Sequence, residues 1–145
     1  MSLFSTLAVS ASGMSAERVR AEVLTENIAN ADTTRTAQGG PYKRRDVVFQ
    51  SEPLESPFSS AFGTAVQAGT EGVEVNQIVT DNDPPIMRYM PGSPDANKDG
   101  YVAYPRINVA EDMVDLVETS RGYDANVSAI SSVKDMIQRS IDLFR

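Results

Sequence analysis

The chain has 145 residues and a formal net charge of −7 at pH 7, and its sequence pI is about 4.5. This acidic balance argues against a nucleic-acid-binding protein, which needs a basic face. The sequence contains no Cys, His or Trp. Disulfides, thiolate or imidazole metal sites and the usual Cys or His catalytic groups are therefore excluded. No stretch approaches the ~20 consecutive apolar residues that a membrane-spanning helix needs.

Residues 1–30 are predicted to form an N-terminal helix, because residues 3–30 contain no proline and a single glycine. Several apolar residues fall near one face of that helix, which Arg18 interrupts: Leu7, Ala11, Met14, Ala21, Leu24 and Ile28. The first charged residue is Glu17, and the Ser/Ala-rich segment before it lacks the basic and continuous apolar parts of a secretory signal. We therefore expect no cleaved signal peptide, and only weak helix formation by the Ser-rich start in isolation.

Residues 31–106 are predicted to form a small central β-rich region, since they hold all eight prolines and seven of the nine glycines. Strands are predicted at 42–49, 73–79 and 86–90. Residues 50–72 are rich in Ser, Gly, Ala and Pro and are predicted to be a mobile loop. The only dense basic cluster, Lys43, Arg44 and Arg45, is expected to be the solvated edge of a strand or loop.

A short acidic motif in this region resembles the first half of a calcium-binding loop, with oxygen-bearing side chains at Asp95, Asn97 and Asp99 before Gly100. The twelfth position should supply a bidentate glutamate, but it is Arg106, whose charge would oppose a cation. We interpret the motif as a tight turn stabilised by Asn or Asp side chains. No metal site and no cofactor is expected.

Residues 107–145 are predicted to form a second long helix, with Asn108 as its N-cap and Glu111 completing an arrangement close to a capping box. Gly122 is expected to be a tolerated loss of about 1 kcal/mol rather than a mark of close helix approach. Steps of four and three residues define a heptad pattern in which nine of eleven positions are apolar: Val109, Met113, Leu116, Ser120, Tyr123, Val127, Ile130, Lys134, Ile137, Ile141 and Phe144. A lone helix cannot bury such a stripe, so a partner helix is required.

These features predict an α+β chain in which the helices at 1–30 and 107–145 pair as one discontinuous coiled-coil domain around the central region. The shared surface, called here the assembly seam, is predicted to contain Leu7, Met14, Leu24, Ile28, Val109, Met113, Leu116, Tyr123, Val127, Ile130, Ile137 and Ile141. Further apolar residues flank it at Val114, Val117, Val133 and Met136. Because this stripe is wider than one short helix covers, association with other subunits is favoured over a closed monomer.

One signature at the end of the first helix resembles a known family. Asn27, Ile28, Ala29, Asn30 and Thr33 match the N-I-A-N-x-x-T pattern that closes the first helix in flagellar rod and hook proteins. The segments at 40–49 and 94–105, and positions from Asn108 to Lys134 in the second helix, resemble the proximal rod proteins of the FlgC type. Arg106 stands where a small polar residue is expected, and residues 58–70 match nothing in the pattern.

The resemblance implies a structural subunit of the flagellar basal-body rod, the drive shaft that crosses the periplasm. It also implies export through the flagellar type III apparatus without a cleaved signal peptide. The expected partners are other rod subunits and the adjoining membrane-ring and export-gate components, in a tubular homo- and hetero-assembly. No nucleic acid and no small-molecule substrate is expected.

Two other classes of function remain open from the residues alone. A cytosolic coiled-coil export chaperone or adaptor would also present a long apolar helix. An enzyme would have to rely on carboxylates such as Asp81 and Asp83, but acidic residues before the Pro84–Pro85 turn are ordinary, and no nucleophile or phosphate-loop motif accompanies them. We therefore expect no catalytic activity.

Overall fold

A computed structural model of the chain describes residues 3–53 and 71–143. In chain order its elements are α1 (Leu3–Ala29), β1 (Arg45–Pro53), β2 (Glu71–Thr80), β3 (Ile86–Tyr89), β4 (Tyr101–Tyr104) and α2 (Val109–Asp142). The predicted α+β class with two long terminal helices is therefore confirmed. No helix in the described ranges is both long and apolar enough to cross a membrane.

The two helices pack against each other in antiparallel directions. A Cβ atom added at Gly13 would lie 2.9 Å from Nδ2 of Asn126, and one at Gly122 would lie 3.1 Å from Oε1 of Glu17. Both glycines therefore lie in the contact between the helices, where a larger residue would have to displace the end of a neighbouring side chain. The expectation that Gly122 is only a tolerated loss is wrong, because its position faces a side chain of α1.

The strands form two separate antiparallel pairs, β1 with β2 and β3 with β4. In the first pair, the register runs from Arg45 opposite Thr80 to Pro53 opposite Glu71, with an irregularity after Val48. This pair packs on α1, and the backbone N–H of Val73 donates a hydrogen bond to Oγ of Ser12 at 3.0 Å. One side of α1 is thereby covered by a β-hairpin.

The predicted strands at 73–79 and 86–90 are confirmed with small shifts of their ends, and the one at 42–49 begins three residues later than predicted. Strand β4 was not predicted. The ends of the predicted loop at 50–72 belong to β1 and β2 instead. Residues 54–70 of that loop lie outside the described residues.

The turn between β3 and β4 confirms the interpretation of the acidic motif. Oδ1 of Asn97 accepts hydrogen bonds from the backbone N–H groups of Asp99 and Tyr101, both at 2.9 Å. Gly100 has φ +80°, and a Cβ there would lie 2.9 Å from the ring of Tyr89. Among the residues described, no group of three acidic side chains is placed to hold a metal ion.

The hydrophobic core is small, as the short central region implies. The buried apolar side chains among those described are Ala16, Val23, Leu24, Val102, Pro105 and Val133. Four polar residues are equally buried: Ser10, Asn27, Asp112 and Thr119. Polar contacts must therefore contribute strongly to the arrangement of the elements.

The substitution Gly100→Ala is expected to lower the free energy of unfolding by about 1–3 kcal/mol, because a side chain is strained at positive φ and overlaps the ring of Tyr89. Urea denaturation followed by far-UV circular dichroism measures the loss. Gly92→Ala is the matched control, since a Cβ at Gly92 meets open space. Equal stability of the two variants would contradict the strained turn.

Candidate assembly interface

A cluster of polar side chains joins α1, β1 and α2, and we call it the polar junction: Asn27, Tyr42, Arg44, Arg45 and Asp112. Asn27 is fully buried near the end of α1. Its Nδ2 donates to the backbone carbonyl of Arg45 at 2.8 Å, and its Oδ1 accepts from the backbone N–H of Arg45 at 3.0 Å. The amide side chain therefore pairs with the first residue of β1 as a neighbouring strand would.

Tyr42 and the side chain of Arg45 complete the hydrogen bonds around Asn27. The hydroxyl of Tyr42 donates to Oδ1 of Asn27 at 3.0 Å and accepts from Nε of Arg45 at 3.3 Å. Arg45 also forms an ion pair with Glu26 of α1. The hydrogen bond with Tyr42 is the largest cause that raises the pKa of Arg45 above its usual value. The guanidinium group therefore stays charged while it ties the loop to α1.

A salt bridge connects β1 to the beginning of α2. Arg44 donates through Nη2 to Oδ1 of Asp112 at 2.9 Å and through Nη1 to Asp46 at 3.1 Å. Burial lowers the pKa of Arg44, but the hydrogen bond to Asp112 and the nearby carboxylate charges outweigh it and raise the pKa overall. Asp112 is only 1% exposed, and its Oδ2 has no hydrogen-bond partner in the described residues. Breaking this pair would leave an uncompensated buried charge.

The remaining signature residues close α1. Nδ2 of Asn30 donates to the carbonyl of Glu26 at 2.9 Å, and Oδ1 of Asn30 accepts from the hydroxyl of Thr33 at 3.1 Å. The carbonyl of Thr33 then accepts from the N–H of Tyr42 at 3.0 Å. These hydrogen bonds connect the end of α1 to Tyr42, which is part of the polar junction. Of the other two signature residues, Ile28 is half-buried and Ala29 is exposed.

Asn108 occupies the predicted N-cap position of α2, but its side chain makes no capping hydrogen bond. The predicted capping-box arrangement with Glu111 is therefore wrong. The carbonyl of Asn108 accepts from the N–H of Asp112 at 3.0 Å, which is the first bond of the helix. Acidic residues in the first turn favour the positive end of the helix dipole.

The line of α2 that is buried most deeply against α1 lies outside the predicted seam. Its buried residues are Asp112, Thr119 and Val133, and Asn126 continues the same seven-residue spacing. These side chains are small or polar, and they carry no apolar pattern that a sequence reading detects. The seam lies beside this line on the surface of the same helix.

The structure leaves much of the assembly seam open. On α2, Val109, Leu116, Ile130 and Ile137 are half-buried, whereas Met113, Tyr123, Val127 and Ile141 are exposed. The exposed fractions of Met113 and Val127 are 52% and 40%. On α1, Leu24 is buried, and Leu7, Met14 and Ile28 are half-buried. Contact of α1 with the seam is therefore partial.

A groove runs between the helices where the seam residues of both meet. It has a volume of about 470 Å³ and is lined by Glu17, Arg18, Ala21, Leu116, Thr119, Ser120 and Tyr123. Leu7, Met14 and Ile28 share the seven-residue spacing of Ala21 and so lie along the same edge of α1. Ile130 and Ile137 continue the line of Leu116 and Tyr123 on α2. We call this surface the seam groove.

Sequence reasoning missed the polar junction. Arg44 and Arg45 were expected to be solvated, yet both are held by carboxylates and are half-buried. Two features of the sequence could have indicated a polar contact here. Asn27 is a polar residue of the family signature, and the basic cluster at 43–45 follows it in the chain. Nothing in the local sequence pairs Arg44 with Asp112, because the pairing depends on the three-dimensional path of the chain.

Two protein families match this chain, one over a range that includes most of α1 and one over a range that includes α2. Residues 7–35 match the family described as flagella basal body rod protein. Residues 98–143 match the family described as flagellar basal body rod FlgEFG protein C-terminal. The first match contains the signature residues, and the second contains all of α2.

Full-length relatives sharpen this result. The chain is 40% identical to the flagellar basal-body rod protein FlgC of Bacillus subtilis, with 99% of each chain covered. It is 36% identical to FlgC of Borreliella burgdorferi, with coverage of 100% of this chain and 99% of the relative. Identity with FlgC of Salmonella typhimurium is 33%, covering 99% and 98%. The chain therefore belongs to the FlgC family of flagellar basal-body rod proteins.

The substitution Asn27→Ala is expected to lower the free energy of unfolding by about 2–4 kcal/mol, because it leaves the backbone groups of Arg45 without partners in a buried place. Urea titration provides the measurement. Asn30→Ala is the control, since Asn30 is less buried and its loss should cost less than about 1 kcal/mol. Equal costs for the two variants would refute the central role of Asn27.

Proposed function

We propose that this structural subunit of the flagellar basal-body rod assembles by packing its assembly seam against the helices of neighbouring subunits. The observation that carries the proposal is the row of large apolar side chains that α2 leaves exposed: Met113, Val114, Val117, Tyr123, Val127, Met136 and Ile141. An ordinary monomer exposes such residues singly rather than along a whole helix. A rod built from many subunits supplies the missing cover.

The energy available from this surface is large. Burying one large apolar side chain contributes roughly 1.5–3 kcal/mol, so even a few of these residues amount to a substantial drive for association. Helix-on-helix packing in the manner of a coiled coil is the geometry that the heptad spacing favours. We infer that the helices at 1–30 and 107–145 act as one unit in this packing, with the central region contributing outer contacts.

The rod setting gives the remaining features a consistent role. The family resemblance supports a periplasmic rod, export through the type III apparatus without signal cleavage, and contact with the membrane ring and export gate. Other rod components are the immediate partners. The alternative of a cytosolic export chaperone or adaptor is not favoured, because the full-length relatives are rod proteins. No catalytic family is among the matches reported above.

We further propose that folding is coupled to assembly. The buried residues of α1 cluster near the polar junction, at Val23, Leu24 and Asn27, while its first half buries only Ser10 and Ala16. A helix end with so little burial is weakly held in the free subunit. Such ends suit passage through a narrow channel and become ordered when a neighbour covers them.

The substitution Val127→Asp is expected to abolish rod assembly and swimming while leaving export of the subunit intact. Val127 is 40% exposed, so a charge there is tolerated by the free chain but is costly once a neighbour covers it. Swimming halos and counts of purified basal bodies in a gene-deleted host provide the readout. Ser128→Asp is the control, because Ser128 is exposed on another side of α2. Normal swimming of the Val127 variant would reject the proposed interface.

Hydrogen exchange of the free chain is expected to show a gradient of protection. Amides of α1 near Val23 and of α2 near Asp112 should exchange slowly, because the polar junction holds them. Amides near Leu7 and Ile137 should exchange much faster. Uniform protection along both helices would instead indicate a finished dimer of the chaperone type.

A further inference from the structure

We propose that Lys134 of one copy forms an ion pair with Glu17 of a second copy when α2 of the first lies in the seam groove of the second. This inference rests on the proposed function, and it names the contact that sets the register between subunits. It follows from one carboxylate and one ammonium group that each lack a partner within the described part of a single chain.

Glu17 is the acidic member of the groove. It lies where α1 passes closest to α2, since its Oε1 is the atom that a Cβ at Gly122 would meet at 3.1 Å. Its Oε2 is buried and has no hydrogen-bond partner among residues 3–53 and 71–143. Arg18 also lines the groove, but its ion pair is with Glu22, at 3.0 Å, and it forms none with Glu17 among the described residues. A buried carboxylate oxygen without a donor favours an incoming cation.

Lys134 is the matching cation on the seam. It stands in the same seven-residue line as Met113, Val127 and Ile141. Its side chain is exposed, and no ion pair within the described ranges includes it. Arg121 and Arg139, the other basic residues of α2 among those described, lie outside the two seven-residue lines that form the assembly seam. Lys134 is therefore the one basic residue in the described part of α2 that lies on a line of the assembly seam itself.

The two groups do not meet within one chain. Glu17 packs opposite Gly122, and Lys134 lies twelve residues further along α2 (134 − 122). That separation is about 18 Å along the helix axis, which exceeds the reach of a lysine side chain. The pair can form only between copies.

The groove suits a helix of this composition. Ala21, Leu116 and Tyr123 provide apolar walls around Glu17. The residues beside Lys134 on the incoming helix are Ile130, Ile137 and Ile141. Their side chains would pack against the apolar lining of the groove. A single charge pair inside an otherwise apolar contact penalises every shifted register, because a shift buries both charges without partners.

Charge reversal tests the proposal in a host deleted for this gene and complemented with the full-length chain. Glu17→Lys and Lys134→Glu should each reduce swimming and the number of intact basal bodies by at least about tenfold, because each places like charges together. The double variant should recover most of both, since the pair is restored with its signs exchanged. Glu22→Lys combined with Lys134→Glu is the control and should show no recovery.

Different outcomes would contradict the Glu17–Lys134 pair and the proposed rod function. Harmless single variants, or a double variant no better than the worse single one, would overturn the Glu17–Lys134 pair while leaving the rod function in place. Failure of the unmodified chain to restore swimming would overturn the proposed function itself. Recovery in the control as well would also refute the pair, because it would show that the effect follows net charge.

Crosslinking gives a second measure that does not depend on charge. The chain has no cysteine, so introduced cysteines are unique reporters. Glu17→Cys with Lys134→Cys should yield crosslinked multimers in basal bodies treated with a short bismaleimide. Glu17→Cys with Asp135→Cys should yield far fewer, since Asp135 lies about a quarter turn away on α2. Equal yields would contradict the proposed register.

Discussion

The pairing of the Asn27 side chain with both backbone groups of Arg45 is the contact on which the rest of the structure depends. A buried amide can satisfy a backbone donor and acceptor together only in one orientation, so it fixes the direction in which β1 leaves α1. Arg44, the preceding residue, then reaches Asp112 and fixes the start of α2. Two adjacent residues thus connect both helices to one strand, and the antiparallel packing of α1 and α2 follows from that connection.

In most helix pairs, apolar side chains fill the contact and polar side chains face outward, but the pair of α1 and α2 shows the opposite arrangement. Small or polar groups such as Thr119 and Asn126 line the contact within the chain, while larger apolar groups such as Met113 and Val127 face outward. A contact made by glycine and polar side chains brings the helices close but buries little apolar area. Large apolar side chains of α2 consequently remain exposed in the single chain, where the proposed contacts with neighbouring subunits would cover them.

The sequence allowed the two helices, three of the four strands and the apolar stripe to be predicted, because each depends on local composition and periodicity. The phase of the helix contact could not be predicted, since the line from Asp112 to Val133 contains no apolar repeat. Strand β4 was missed because its four residues show no alternation of polar and apolar positions and, unlike those of β3, are not preceded by a pair of prolines. The salt bridge of Arg44 with Asp112 also escaped, because it joins residues distant in sequence whose contact depends on the path of the chain between them.

The helix pair is assembled from the two ends of the described sequence, as the meeting of Gly13 with Asn126 shows. Contacts of such high sequence separation form late, because the intervening chain must first be closed into a loop. During synthesis, α1 therefore leaves the ribosome before α2 has been made. The two helices cannot pair until then, because their contact joins residues far apart in the sequence. The helix pair therefore forms only after the second helix has been translated, whereas the contacts of α1 with β1 and β2 can form before it.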